Sequence, residues 1–142
     1  MGTRRRAREC ALQLLYMWEF NGALDPANVE SYWEEQQADE ATRSFATKLV
    51  EGVVARIGEV DDLIRQASLN WRIDRMATVD RNILRVATYE LMAVAETPLK
   101  VVLNEAIELS KRFGSEDSSA FVNGVLDKIG FMLRPQQKKR KQ

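Results

Sequence analysis

Apolar residues recur through almost the whole chain at the three-and-four spacing of a helix face. Ala7, Cys10, Ala11, Leu14, Leu15 and Trp18 lay a stripe along one side of a first helix that starts near Arg4. Asp25 before Pro26 predicts an N-cap and a first-turn proline, with Val29, Tyr32 and Trp33 as a short apolar face behind them. From about Asp39, Phe45, Leu49, Val53 and Ile57 recur every fourth residue as far as Gly58, and Val60, Leu63, Ile64 and Ala67 begin another stripe. Asn70 and Trp71 interrupt it. From about Asp74, Met76, Val79, Ile83, Val86, Ala87 and Leu91 form the longest apolar face. Thr97 and Pro98 restart a helix that carries Val102, Ala106, Leu109 and Phe113 and ends at Gly114, a left-handed terminator. Ser115 or Ser118 caps a last helix, in which Phe121, Val122, Val125, Leu126 and Ile129 face inward. No segment alternates as a strand does, so the fold class is all-α, a helical bundle of about seven helices.

At 142 residues the chain has the length of one domain and can bury a core without staples. Residues 1–133 are expected to form a single helical domain, with 134–142 a basic, disordered tail. The formal charge is zero, from 21 basic and 21 acidic residues, but the charges are segregated. Arg4, Arg5, Arg6 and Arg8 crowd the start, and Arg134, Lys138, Lys139, Arg140 and Lys141 crowd the end. Without those nine cations the rest of the chain carries 12 basic residues against 21 acidic ones. Segregation of this kind points to a local contact with a polyanion.

Several chemistries are absent from the sequence. There is no histidine and a single cysteine, Cys10, which cannot pair internally or make a zinc site with nitrogen and sulfur ligands. Neither a GxxxxGK[ST] loop nor a GxGxxG turn is present. Adjacent carboxylates such as Asp61 and Asp62, or Glu34 and Glu35, point to different sides of a helix and are expected at the solvated surface. No catalytic residue, metal site or cofactor is expected. No apolar run approaches a membrane span, and a cytoplasmic protein without membrane association fits best.

A helix extending back to Arg4 sets Arg5, Arg8, Leu12 and Tyr16 at steps of three and four, along one ridge beside the apolar stripe. Guanidinium groups grip phosphates and stack on exposed bases, and an aromatic ring on the same ridge is a platform for a base. The bland alternative is that Arg5 pairs with Glu9 four residues on and that Tyr16 is core. Cations near a helix N-terminus are mildly unfavourable, which tilts the balance toward use.

The segments RRRARECALQLLYMWE, VDRNILRVATYEL and PLKVVLNEAIELSKRFGSEDSSAFVNGVLDKI together resemble the NusB family of bacterial transcription antitermination factors, over Arg4 to Ile129. The third is the most specific, because NEAIELSK, the FG break and FVNGVLD follow in order. The resemblance implies an all-helical fold of two three-helix groupings. It also implies binding of single-stranded boxA-type RNA together with NusE, a small ribosomal-subunit protein, in a transcription elongation complex that reads ribosomal RNA operons.

By position, the implied RNA surface comprises Arg4, Arg5, Arg6, Arg8 and Tyr16, with Phe113, Ser115, Asp117, Ser118 and Phe121 from the FGSEDSSAF break. Phe113 and Phe121 also sit at core spacing, and the serines also suit caps. Asp117 is the odd member, since a carboxylate near phosphate costs binding energy. The implied NusE-facing residues are Arg72, Asp74 and Asp80, although Asp74 also suits a helix cap. Two alternatives are an accessory domain of a ribosomal-RNA cytosine methyltransferase, for which the chain leaves no room after its last helix, and a homodimer that buries the arginine surface.

Overall fold

The computed structural model describes residues 2–139. They form α1 (Thr3–Asn21), α2 (Pro26–Gln36), α3 (Glu40–Ala55), α4 (Ile57–Ala67), a 3-10 turn (Ile73–Arg75), α5 (Thr78–Ala93), α6 (Leu99–Phe113), α7 (Ser118–Leu133) and α8 (Pro135–Lys139). The predicted cap at Asp25 is present, and Asp39, where the third stripe begins, caps its helix in the same way. The Asp25 carboxylate accepts from Ala27 N at 2.9 Å, and that of Asp39 from Thr42 N at 2.8 Å, each satisfying a free amide of a first turn.

Other boundaries differ from the pattern. The break between α3 and α4 falls at Arg56 rather than Gly58. Asp74 lies in the 3-10 turn and caps nothing, because α5 begins only after Ala77. Gly114 is extended (φ −93°, ψ −173°) rather than left-handed. Glycine is needed there for closeness: a Cβ would collide with the Ser118 side chain and the Ser110 carbonyl. Gly52 is a second close approach, since the Tyr89 ring of α5 lies where its Cβ would stand.

Two cores result. One is built by α1, α2 and α3 around Leu14, Leu15, Trp33, Leu49 and Val53; the other by α4, α5, α6 and α7 around Ile64, Ile83, Leu84, Leu103 and Leu126. The two expected groupings are therefore present, with α4 packed on α5 and α7. Helix α5 is the shared wall: Val86, and Val94 just past its end, enter the first core while Ile83, Leu84, Ala87 and Leu91 enter the second.

A polar network secures this wall. Arg81 donates to Glu19 at 2.6 Å and to the carbonyls of Ile73 and Met76, while the Asn82 amide donates to the other Glu19 oxygen at 3.1 Å. Arg85 grips Asp61 through two bonds of 2.9 and 3.0 Å and reaches Glu19 at 3.2 Å. Asp61, expected at the solvated surface, is thus buried, because it is the counter-ion of a buried guanidinium. Burial alone would raise the pKa of Glu19, but the hydrogen bonds from Arg81 and Asn82 and the charges of Arg81 and Arg85 outweigh it and leave it lowered.

The expected disordered tail also needs correction at its first residues. Arg134 is buried and donates to the carbonyls of Leu91, Thr97 and Val94 at 3.2, 2.8 and 3.2 Å. These oxygens lie in the last turn of α5 and the bend after it, where intrahelical partners run out. Gln137 from α8 then accepts from Leu99 N at 2.7 Å, so α6 is capped by a residue 38 positions away. Arg140, Lys141 and Gln142 lie outside the described residues, as do the side chains of Lys138 and Lys139.

Two outcomes follow from these contacts. Arg134→Ala strands three carbonyls and lowers unfolding stability by about 2–4 kcal/mol, measured by urea denaturation. Glu19 contributes stability that is full above the ordinary carboxylate range and is lost as pH falls toward its lowered folded pKa. In thermal melts from about pH 6 down to about pH 3, Glu19→Gln starts less stable and shows a shallower acid loss than the wild type.

Candidate nucleic-acid interface

Helix α1 advances about 100° per residue, which sorts the arginine cluster by direction. Arg5 and Tyr16 point into the same outward sector, while Arg8 is turned about 60° from Arg5, toward the buried side. The four arginines accordingly have four different surroundings. Arg4 is exposed, with its guanidinium 3.8 Å from the centroid of the Phe45 ring. Arg5 is exposed and grips Glu105 of α6 through bonds of 3.0 and 2.7 Å. Arg6 is half-buried and donates to the Gln36 carbonyl that ends α2.

Arg8 departs from the expected ridge. It is buried and bonded to Glu90 of α5 at 2.9 and 2.6 Å, with Glu105 a further 3.6 Å away. Leu12 is buried as well. The ridge of basic and aromatic residues is therefore shorter than the spacing suggests: a three-residue step turns Arg8 backward around a helix of 3.6 residues per turn, and Leu12, only about 20° from Arg5 in direction, is covered by the second core. Arg5 does not pair with Glu9; that carboxylate accepts instead from Arg112 of α6 at 3.0 Å. Tyr16 is exposed and stacks on the more exposed Phe20, ring centroids 6.3 Å apart and planes 19° apart.

The second cluster surrounds the bend between α6 and α7. Phe113 and Phe121 are both half-buried, each packed against the second core and each open on one side, so core and contact readings both hold in part. Ser115 and Asp117 are exposed. Ser118 is buried, and its hydroxyl accepts from Ser115 N at 2.9 Å, which makes it a strut of the bend rather than a surface group. Asp117 precedes α7 without a side-chain cap bond.

A pocket of about 280 Å³ brings residues assigned to different partners together: Asp80 from α5, Asp117 and Phe121 from α7, and Trp71 and Arg75 from the 3-10 region. One Asp80 oxygen is buried there without a hydrogen-bond partner among the described residues. Trp71 meets Phe121 edge to face at 6.1 Å. Arg72 and Asp74 are exposed beside it and pair with each other at 3.1 Å. Phe20, Trp71 and Arg112 were not singled out by the sequence; only Phe20, four residues after Tyr16, had a spacing that could have signalled it. Among the described residues no group of three or more metal-ligating side chains converges, and no helix is long and apolar enough to cross a membrane.

The sequence model of the NusB family matches residues 5–130. A transcription antitermination protein NusB of Sorangium cellulosum is 50% identical over 129 residues, which cover 91% of this chain and 92% of the relative. One of Myxococcus xanthus is 47% identical over 137 residues, covering 94% and 98%. Among solved structures, a NusB of T. maritima superimposes with a TM-score of 0.83 at 35% identity, covering 96% of each chain. A crystal structure of the antitermination factors NusB and NusE in complex with double-stranded RNA contains a chain that matches with a TM-score of 0.80 at 32% identity, covering 91% of this chain and 96% of that one.

The surroundings of Arg8 separate its structural part from any contact with nucleic acid. Arg8→Ala leaves Glu90 charged, buried and unpaired, and costs about 3–5 kcal/mol of folding stability. Chemical denaturation of this variant checks the value; a loss below about 1 kcal/mol would show that the pair does not hold α1 to α5.

Proposed function

The chain belongs to the NusB family, and from that membership we propose that it is a transcription antitermination factor, binding boxA-type RNA together with a NusE-type ribosomal protein. Its activity is binding and assembly without catalysis, in the cytoplasm, within an elongation complex that transcribes ribosomal RNA operons. The neighbouring structure, which holds NusE and double-stranded RNA, supports a NusE-type protein and RNA as the two kinds of partner, and the preference for a single strand rests on the surface itself.

The observation that carries the reading is the outward sector of α1. Arg4 and Arg5 are exposed in its first turns and the stacked Tyr16 and Phe20 rings stand further along the same helix. Phosphates suit the guanidiniums, and unstacked bases suit the free ring faces, which favours single-stranded RNA over a duplex. Phe113, Ser115, Asp117 and Phe121 extend this RNA surface, and Arg6 borders it from a half-buried position. Arg8 and Ser118 serve it by holding α1 and the α6–α7 bend in place.

Arg72, Asp74 and Asp80 face the NusE-type protein in this reading. The position of Asp80 supports it, since it lines a pocket with Trp71 and Arg75 beside the exposed Arg72–Asp74 pair. A homodimer through the arginine sector would compete with RNA for Arg4 and Arg5, so sedimentation with and without RNA distinguishes it.

The test is a titration of boxA-like RNA with and without the NusE-type protein. RNA affinity is expected to rise when the partner is present. Arg5→Ala weakens RNA binding and makes the log–log salt slope shallower by about 0.7, one phosphate contact on a single strand. Unchanged affinity and slope would remove Arg5 from the interface.

A further inference from the structure

The α1 sector and the α6–α7 bend are separated by a groove of about 230 Å³ between α1 and α6, lined by Arg5, Glu9, Glu105, Lys111 and Arg112 among others. Its charges are layered. The side chains of Arg5 and Arg112 are 46% and 55% exposed, whereas the carboxylates that hold them, Glu105 and Glu9, are 15% and 13% exposed. Glu105 and Glu9 therefore lie beneath and the guanidiniums on top, so an anion arriving at Arg5 or Arg112 meets N–H donors first; the third acid of the groove, Glu108, is 51% exposed and stands on the rim beside Lys111.

Each guanidinium keeps donors in reserve. Arg112 spends only Nη1 on Glu9, and Arg5 spends Nε and Nη2 on Glu105. A guanidinium presents five N–H groups, so several on each remain for a second acceptor. Arg112 also lies 5.5 Å from the centroid of the Phe113 ring. It therefore touches both halves of the interface, α1 through Glu9 and the ring cluster through Phe113. Lys111, paired at a loose 3.9 Å with Glu108, adds a further mobile cation on the same rim.

We propose that this groove is a binding path for the RNA phosphate backbone, running from Arg5 to Arg112, with Arg112 as the contact that joins the two parts of the interface. The inference rests on the RNA-binding reading above. Hydrogen-bond donors on top of a groove that is continuous with that interface fit a polyanion better than a protein surface of mixed charge. The underlying acids temper the site: the hydrogen bond and charge of Arg5, with the charge of Arg8, hold the Glu105 carboxyl below its ordinary range, so it is anionic at neutral pH and opposes a phosphate. Glu105 can be neutralised without stranding Arg8, because Glu90 already satisfies that residue through two bonds.

Titration of the full chain with a boxA-like single-stranded RNA, from about 50 to about 200 mM salt, tests the path. Arg112→Ala is expected to weaken binding severalfold and to make the log–log slope shallower by about 0.7, with an unchanged thermal melt. Arg112→Lys restores the slope, because a point charge suffices for a phosphate. Glu105→Gln tightens binding severalfold while its amide oxygen still accepts from Arg5. If Arg112→Ala leaves the slope unchanged while Arg5→Ala reduces it, the path is wrong and the RNA-binding reading survives. If the wild type does not bind the RNA, both fall. An Arg112→Ala defect confined to the NusE-type protein, or weaker RNA binding by Glu105→Gln, also overturns the proposal.

Discussion

The buried ion pair between Arg8 and Glu90 is the contact on which the rest of the molecule depends. Each group loses most of its hydration, and neither is tolerable there without the other. Their two parallel bonds of 2.9 and 2.6 Å fix the N-terminal half of α1 against the C-terminal half of α5. At the opposite end Glu19 of α1 receives Arg81, Asn82 and Arg85 of α5. Two such clamps set both position and antiparallel direction. Apolar packing between the helices could be satisfied in neighbouring registers, but buried charges cannot be mispaired cheaply.

That register decides which part of α1 is available. With Arg8 turned inward, the outward sector is left to Arg5, Glu9, Tyr16 and Phe20, with Arg4 exposed beside it at the start of the helix. Each exposed cation on this face is already held by something: Arg4 by the Phe45 ring, Arg5 by Glu105, Arg112 by Glu9. Such exposed pairs add little to stability, about 0–1 kcal/mol each, but they restrain long side chains that would otherwise lose more entropy on binding. The neutral total charge and the exposed guanidiniums of this face are compatible because Glu105 and Glu9, the acids that hold Arg5 and Arg112, sit one layer down.

The C-terminal segment performs a similar service at the far end of α5. Arg134 collects three carbonyls from the end of α5 and the bend that follows, and Gln137 caps α6. The bend also supplies Glu96 and Pro98 to a cleft that Arg4 and Arg5 border. The first turn of α1 and the last described helix therefore share one support, although they lie at opposite ends of the chain.

Much of this was determined by the sequence alone. Periodicity identifies the helices because burial of one face is a local property of spacing, and Asp25 and Asp39 cap because an N-cap needs only its own next two or three residues. The three quoted segments suffice for the family, and the candidate residues at Arg5, Tyr16, Asp80, Asp117 and Phe121 all lie at a surface or a pocket. What only the tertiary structure decided is the direction and partner of each charge. Arg8 and Arg5 are the same residue type three positions apart, yet one is buried on Glu90 and the other rides above Glu105, since the acids that receive them come from helices more than eighty positions away. Asp61 is buried and Ser118 becomes a strut for the same reason: a polar group's fate depends on which donor or acceptor folding brings opposite it, and no local spacing carries that information.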